Sequence, residues 1–87
     1  METTMTTEKN YTIEYEDSYA HVFYLEICFN FDEIEYVASG YYSHDKIDDF
    51  DLLNLKTDEY IINKEYNAYK LGLELLQKLG RRKLSEQ

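Results

Sequence analysis

The sequence contains no proline, no tryptophan, one cysteine (Cys28) and three glycines in 87 residues. A single cysteine excludes an internal disulfide and therefore a disulfide-stapled secreted scaffold, so we expect a cytoplasmic protein. Because proline and glycine interrupt helices and strands, their scarcity predicts elements joined by short polar turns. No apolar run approaches the roughly 20 residues that span a bilayer, and residues 1–10 lack the apolar core of a signal peptide.

Cations are scarce in one region of the chain. Between Tyr11 and Leu55, eleven carboxylates accompany a single cation, Lys46, while the formal net charge of the whole chain is −9. The charges outside this stretch nearly cancel, so the acidity is regional. Anionic membranes and nucleic acid would repel such a surface, and we expect neither as a direct partner.

Core-forming side chains are abundant. Hydrophobic residues make up 44% of the chain, with ten tyrosines and four phenylalanines. That content is typical of a folded protein rather than an acidic disordered tail, and the length allows one core. We expect residues 1–10 to be flexible, residues 11–80 to form a single α+β domain and residues 81–87 to be a basic, frayed tail.

Alternation of apolar and polar residues predicts three antiparallel strands. The first covers residues 11–16, the second residues 19–31 with odd-numbered side chains in the core, and the third residues 34–39 with even-numbered side chains in the core. A turn at Asp32 and Glu33 joins the last two. A register slip of one residue would bury Glu26 and Glu35 instead.

Two helices are predicted after the strands. Ser43 or Asp45 would cap a short helix in which Ile47, Phe50 and Leu53 recur at intervals of three. A longer helix would begin with Thr57 as N-cap and end at Gly80. Gly72 inside it predicts a close approach by a neighbouring element. The expected fold is therefore α+β of order βββαα, with the long C-terminal helix packed on one face of a three-stranded antiparallel sheet.

The candidate site is the set of carboxylates that this fold exposes. A basic nucleic-acid-binding surface is complementary to the regularly spaced charges of DNA, about one per 1.7 Å of duplex axis, and spaced carboxylates resemble that pattern. The alternative is that the carboxylates only keep the protein soluble. The predicted partner-binding residues are Glu14, Glu16, Glu26, Glu33 and Glu35 on the outer sheet face, and Asp45, Asp48, Asp49 and Asp51 on the first helix and its flank.

Other kinds of site find little support. The aspartates lack the ligand spacing and glycine of a calcium-binding loop, and His21, His44 and Cys28 lack zinc-ligand spacing. His44 beside Asp45 has the makings of an oriented base, but no activated serine or cysteine lies near it in sequence. We expect no cofactor, no metal and no catalysis. Three tyrosines, Tyr24, Tyr41 and Tyr42, are expected off the core face, where tyrosine often anchors protein interfaces.

Small size, an acidic sheet, tyrosine-rich strands and no catalytic set together resemble the small acidic DNA-mimic inhibitors encoded by bacteriophages. That resemblance covers composition and coarse architecture from Tyr11 to Leu79 and involves no sequence motif. It implies inhibition of a basic DNA-binding protein of the host, such as a nucleoid protein, a nuclease or a polymerase, in the host cytoplasm.

Two other interpretations remain open. An immunity or antitoxin protein would use the same charges to plug a basic nuclease toxin. A small adaptor would form a homodimer through the long helix, with the acidity serving solubility. Gly72 and the stripe of Leu71, Leu75 and Leu79 favour the adaptor if one small sheet leaves that stripe uncovered.

Overall fold

A computed structural model describes residues 5–7 and 22–85 of the chain. The elements are β1 (Met5–Thr7), β2 (Phe23–Phe31), β3 (Ile34–Ser43), β4 (Lys46–Asn54), β5 (Glu59–Tyr60) and α1 (Asn67–Ser85). The strands form one antiparallel sheet in chain order, so each strand pairs with the next.

The α+β class, the antiparallel sheet and the C-terminal helix packed on it are confirmed, whereas the predicted count of three strands and two helices is wrong. The strand predicted over residues 11–16 and the beginning of the next one lie outside the described residues. Within the described residues, no helix is long and apolar enough to cross a membrane.

Two tight turns connect the three long strands. Asp32 and Glu33 join β2 to β3, and His44 and Asp45 join β3 to β4, with φ between 51° and 66° at all four residues. Positive φ at both central residues is the requirement of a type I′ turn, whose twist matches that of the flanking strands. The turn predicted at residues 32–33 is confirmed.

The predicted strand parity is also confirmed. On β2 the buried side chains include Leu25, Ile27 and Phe29, and on β3 they include Tyr36 and Ala38. All five face α1, so the alternation in the sequence identified the core face correctly. Tyr42 continues this parity and is 2% exposed, so its predicted position off the core face is wrong.

The short helix predicted around Ile47, Phe50 and Leu53 is wrong, because these residues belong to β4. Ile47 and Phe50 pack against the core from one face of the strand. Leu53 pairs with Val37 on the opposite face. A helix would have placed all three side chains on one side.

A β-bulge in β4 explains why Ile47 and Phe50 are three residues apart, a spacing that is typical of a helix. Ser39 pairs with Asp51 and Tyr41 with Asp48, so one β3 residue, Gly40, faces two residues of β4. The extra residue shifts the alternation by one position. As a result, two inward side chains of β4 are three residues apart, which imitates a helical pattern.

The core lies between the sheet and α1. Ala68, Leu76 and Leu79 of the helix are buried against it. A Cβ added at Gly72 would come within 3.3 Å of side chains on β2, β3 and β4. The close approach predicted at Gly72 is therefore confirmed, and the approaching element is the sheet.

The helix begins ten residues later than predicted, at Asn67 rather than Thr57. The side chain of Asn54 accepts hydrogen bonds from the backbone N–H groups of Lys56 at 2.8 Å and Thr57 at 3.2 Å, and Asp58 donates to the Asn54 carbonyl at 2.7 Å. These bonds close a hairpin between β4 and β5. The side chain and carbonyl of Asn54 thus stabilise a turn where a helix start was expected.

At its other end, α1 passes through Gly80 and ends at Ser85, so the predicted end at Gly80 is wrong. Gly80 is buried, and a Cβ added there would overlap the ring of Tyr42. Its lack of a side chain is required by helix-to-sheet packing rather than by helix termination. Arg82 and Lys83 lie in the last turn, near the negative end of the helix dipole.

Candidate functional site

The sheet face opposite α1, called the outer face below, collects most of the predicted site residues that the structure describes. Strand pairing aligns its side chains in rows across the sheet. The rows are Asn30–Glu35, Cys28–Val37–Leu53–Tyr60, Glu26–Ser39–Asp51 and Tyr24–Tyr41–Asp48.

Carboxylates of β2 and β4 converge on the outer face. Glu26 and Asp51 flank Ser39 in one row, about 10 Å apart at the backbone given the usual strand spacing. Asp48 lies in the next row, where Lys46 Nζ approaches its Oδ1 at 4.0 Å in an exposed pair. Because β4 is a strand, carboxylates that were predicted on two separate surfaces share one.

Two tyrosines lie among these carboxylates. The rings of Tyr24 and Tyr41 are 5.2 Å apart, tilted by 58°, and both are partly exposed. Burial raises the pKa of Tyr24; a hydrogen bond with Ser39 lowers it, and the charges of Glu26 and Asp51 raise it again. The Tyr24 hydroxyl therefore stays protonated at neutral pH, within reach of carboxylates on two strands.

The other predicted carboxylates are spread more widely. Glu35 lies in the outer-face row of Asn30, and Glu33 is exposed in the β2–β3 turn beside it. Asp49 is exposed at the bulge with a φ of 54°. Glu14 and Glu16 lie outside the described residues.

Asp45 has an intramolecular role. Its carboxylate accepts hydrogen bonds from Arg81 Nε at 2.6 Å and Nη2 at 3.3 Å, and its backbone carbonyl accepts one from Gln77 Nε2 at 2.9 Å. Tyr42 Oη also donates to Asp45 Oδ1 at 3.3 Å. The Arg81 hydrogen bonds hold the pKa of Asp45 below its usual value. Asp45 thus fastens the β3–β4 turn to α1, a contact that sequence reasoning missed.

An apolar edge adjoins the carboxylates and was also missed. Tyr60, which pairs with Leu53 in the outer-face row of Val37, is 62% exposed, and Ile62 is 86% exposed. Ile62 falls within the helix predicted from Thr57, but in the structure it follows β5 and precedes α1. The turn signal that could have revealed the edge is Asn54 followed by Thr57 and Asp58, polar residues typical of a hairpin loop.

A cavity of about 310 Å³ lies where the β2–β3 turn meets the beginning of α1. Its lining includes Asp32, Glu65, Tyr36 and Tyr66. Burial raises the pKa of Tyr36, and the neighbouring Tyr66 raises it further through its charge when ionised.

Within the described residues, no three His, Cys, Asp or Glu side chains are grouped to hold a metal ion. Cys28 is buried.

Comparisons with known proteins identify no relative. No protein-family model, no curated protein and no solved structure matches the chain.

Proposed function

We propose that this protein is a non-catalytic inhibitor that binds the nucleic-acid-binding surface of a basic host protein and so excludes the nucleic acid. The observation that carries the proposal is the convergence of Glu26, Asp48 and Asp51 with Tyr24 and Tyr41 on the outer face. The proposed target classes are nucleoid proteins, nucleases and polymerases in the cytoplasm of a bacterial host.

The outer face combines charge with rigid anchors. Because the strands are paired, the backbone that carries these carboxylates is already ordered before binding, which favours affinity. An excess of negative charge on a face also accelerates encounter with a basic partner, by roughly 10 to 1,000-fold at low salt. Tyrosine is enriched among the residues that dominate interface energies. Tyr24 and Tyr41 supply such anchors within the acidic surface.

Packing of the helix favours this proposal over self-association through α1. The leucine stripe that suggested a homodimer faces the sheet: Leu79 is buried, and Leu71 and Leu75 pack against the core. The apolar surface left on the helix includes Leu84, which is 40% exposed. Most of the stripe that favoured a homodimer is therefore used in packing the helix on the sheet.

Competition for DNA tests the proposal. A fluorescent duplex is bound to purified representatives of the three target classes, and its displacement is followed by fluorescence polarisation at graded salt. The wild type should displace the duplex from at least one protein, less effectively as salt rises. Failure against every representative at low salt would contradict the proposal.

A matched pair of variants separates the outer face from total charge. E26Q/D48N/D51N removes three negative charges from the outer face, and D58N/E65Q/E74Q removes three charges elsewhere. The first should lose displacement, and the second should keep it. Equal losses would mean that net charge alone is responsible.

A further inference from the structure

At the β5 edge of the described sheet, two exposed apolar side chains lie beside the charged Glu59: Tyr60 within the strand and Ile62 just after it. Tyr60 is 62% and Ile62 86% exposed, and Leu55 is 42% exposed in the preceding turn. The sheet order ends at β5, so among the described strands none pairs with its far side.

The backbone at this edge is positioned to pair with another strand. The Ile61 N–H donates to the Leu52 carbonyl at 2.8 Å, so Ile61 faces β4. Successive residues of an antiparallel strand point their backbone groups in opposite directions. The backbone groups of Tyr60 and Ile62 therefore point toward the open edge.

The charges around the β5 edge indicate what kind of strand could pair with it. From Asp51 to Ile62 the chain carries three carboxylates, Asp51, Asp58 and Glu59, and one lysine, Lys56. Asp51 lies two residues before Leu53, which pairs with Tyr60, and Glu59 precedes Tyr60 on β5. Apolar side chains flanked by carboxylates are complementary to a strand that alternates apolar and basic residues. A second copy of this chain would bring like charges together.

We propose that the β5 edge docks an extended segment of the partner protein in which apolar residues alternate with lysine or arginine, adding a strand to the sheet. The proposal rests on the proposed function, because it specifies the part of the basic partner that is recognised. Backbone pairing supplies affinity, and the exposed side chains of Tyr60 and Ile62 supply contacts for the apolar side chains of the docked segment.

A defined peptide probe tests the edge. Acetyl-(Lys-Val)₃-amide is titrated into the isotopically labelled protein, with acetyl-Lys₃-Val₃-amide as the block-sequence control and acetyl-(Glu-Val)₃-amide as the charge control. The alternating basic peptide should bind most tightly, shift the amide resonances of Tyr60 and Ile62, and slow their hydrogen exchange. Equal binding of the two lysine peptides would overturn the proposal.

Two variants locate the binding. Y60S/I62S should weaken binding of the alternating peptide by about tenfold or more, because exposed anchors dominate such contacts. L84S removes an exposed apolar side chain from α1 and should leave binding unchanged. Unchanged binding in Y60S/I62S overturns the proposal, as does a concentration-dependent dimer, seen by sedimentation, that this variant abolishes.

The outcomes separate this proposal from the proposed function. If wild-type protein displaces DNA from a basic protein and Y60S/I62S does so equally well, the acidic face functions without the edge. If no representative releases DNA but the alternating peptide protects the Tyr60 amide, the edge is a docking site and the DNA-exclusion proposal fails.

Discussion

Gly80 of the helix lies directly against the ring of Tyr42 on the sheet, with no room between them for a Cβ atom. Tyr42 is 2% exposed, and its hydroxyl donates to Asp45 in the β3–β4 turn. One glycine thus allows the last third of α1 to approach the sheet, where Arg81 reaches the same aspartate.

Replacement of Gly80 by alanine should therefore destabilise the protein. Alanine gains about 1 kcal/mol of helix propensity, but overpacking against the ring costs about 1–3 kcal/mol. We expect a net loss in the free energy of unfolding, measured by urea denaturation. In a Tyr42→Leu background the same substitution should cost less, because the aromatic ring is gone. G72A should cost less than G80A, since its Cβ would meet side chains at 3.3 Å.

The Arg81–Asp45 contact should make stability depend on acid pH. The lowered pKa of Asp45 contributes stability that is present above the usual aspartate pKa of about 3.9 and is lost as pH falls through the lowered value. R81Q should raise the pKa of Asp45 measured by NMR, and its difference in stability from wild type should shrink in acid. K78Q, which breaks the Lys78–Glu74 pair on α1, should leave the Asp45 pKa unchanged.

Alkaline pH should destabilise the protein through its buried tyrosines. Burial is the first cause of the raised pKa values of Tyr36 and Tyr42. Each contributes stability that is complete below the usual tyrosine pKa of about 10 and declines as pH rises toward the raised value. Phenolate absorbance should show tyrosines that ionise only as the protein unfolds. Y42F should reduce the alkaline loss, and unchanged alkaline unfolding would contradict the assignment.

The bulge at Asp49 should tolerate glycine and asparagine but not valine. Its φ of 54° costs an L-residue roughly 1–2 kcal/mol, which glycine avoids and a β-branched side chain increases. D49G should leave stability unchanged or raise it by up to about 1 kcal/mol, whereas D49V should lower it. At Asp51, which lies in the regular ladder, the order of stability should be reversed, so that D51V is more stable than D51G. The free energies of unfolding of these four variants, measured by urea denaturation, test the prediction.

The helix core should respond strongly to truncation. Leu76 is fully buried, and L76A should lower the free energy of unfolding by about 2–5 kcal/mol through lost burial and a cavity. L84A removes a side chain that is 40% exposed and should change stability by about 0.5 kcal/mol or less. Similar losses in both variants would argue against this packing of α1.

Local patterns in the sequence were sufficient for β2 and β3. The alternation along β2 and β3 and the turn at Asp32 and Glu33 depend on residues close in sequence. The sequence therefore predicted which side chains face the core and that the two strands pair. The same reasoning failed at β4, because the bulge gave Ile47 and Phe50 helical spacing. It failed again after Asn54, where a side-chain turn replaced the helix start expected at Thr57.

Long-range contacts determine the rest of the candidate site. Arg81 and Asp45 are 36 residues apart and meet only because the β3–β4 turn packs against α1. Likewise, Glu26 and Asp51 share a row through the register of β3 between them. The sequence predicted these carboxylates as site candidates, but their alignment required the fold.

Gly40, opposite the bulge, lets a side chain of β4 lie over β3. A Cβ on Gly40 would lie 2.6 Å from Ile47 Cγ2, so this isoleucine occupies the space of the missing side chain. A larger side chain at position 40 would therefore have to displace Ile47 from this space. In homologues of this protein, positions 40 and 47 should therefore vary together, with a larger side chain at position 40 accompanying a smaller one at position 47.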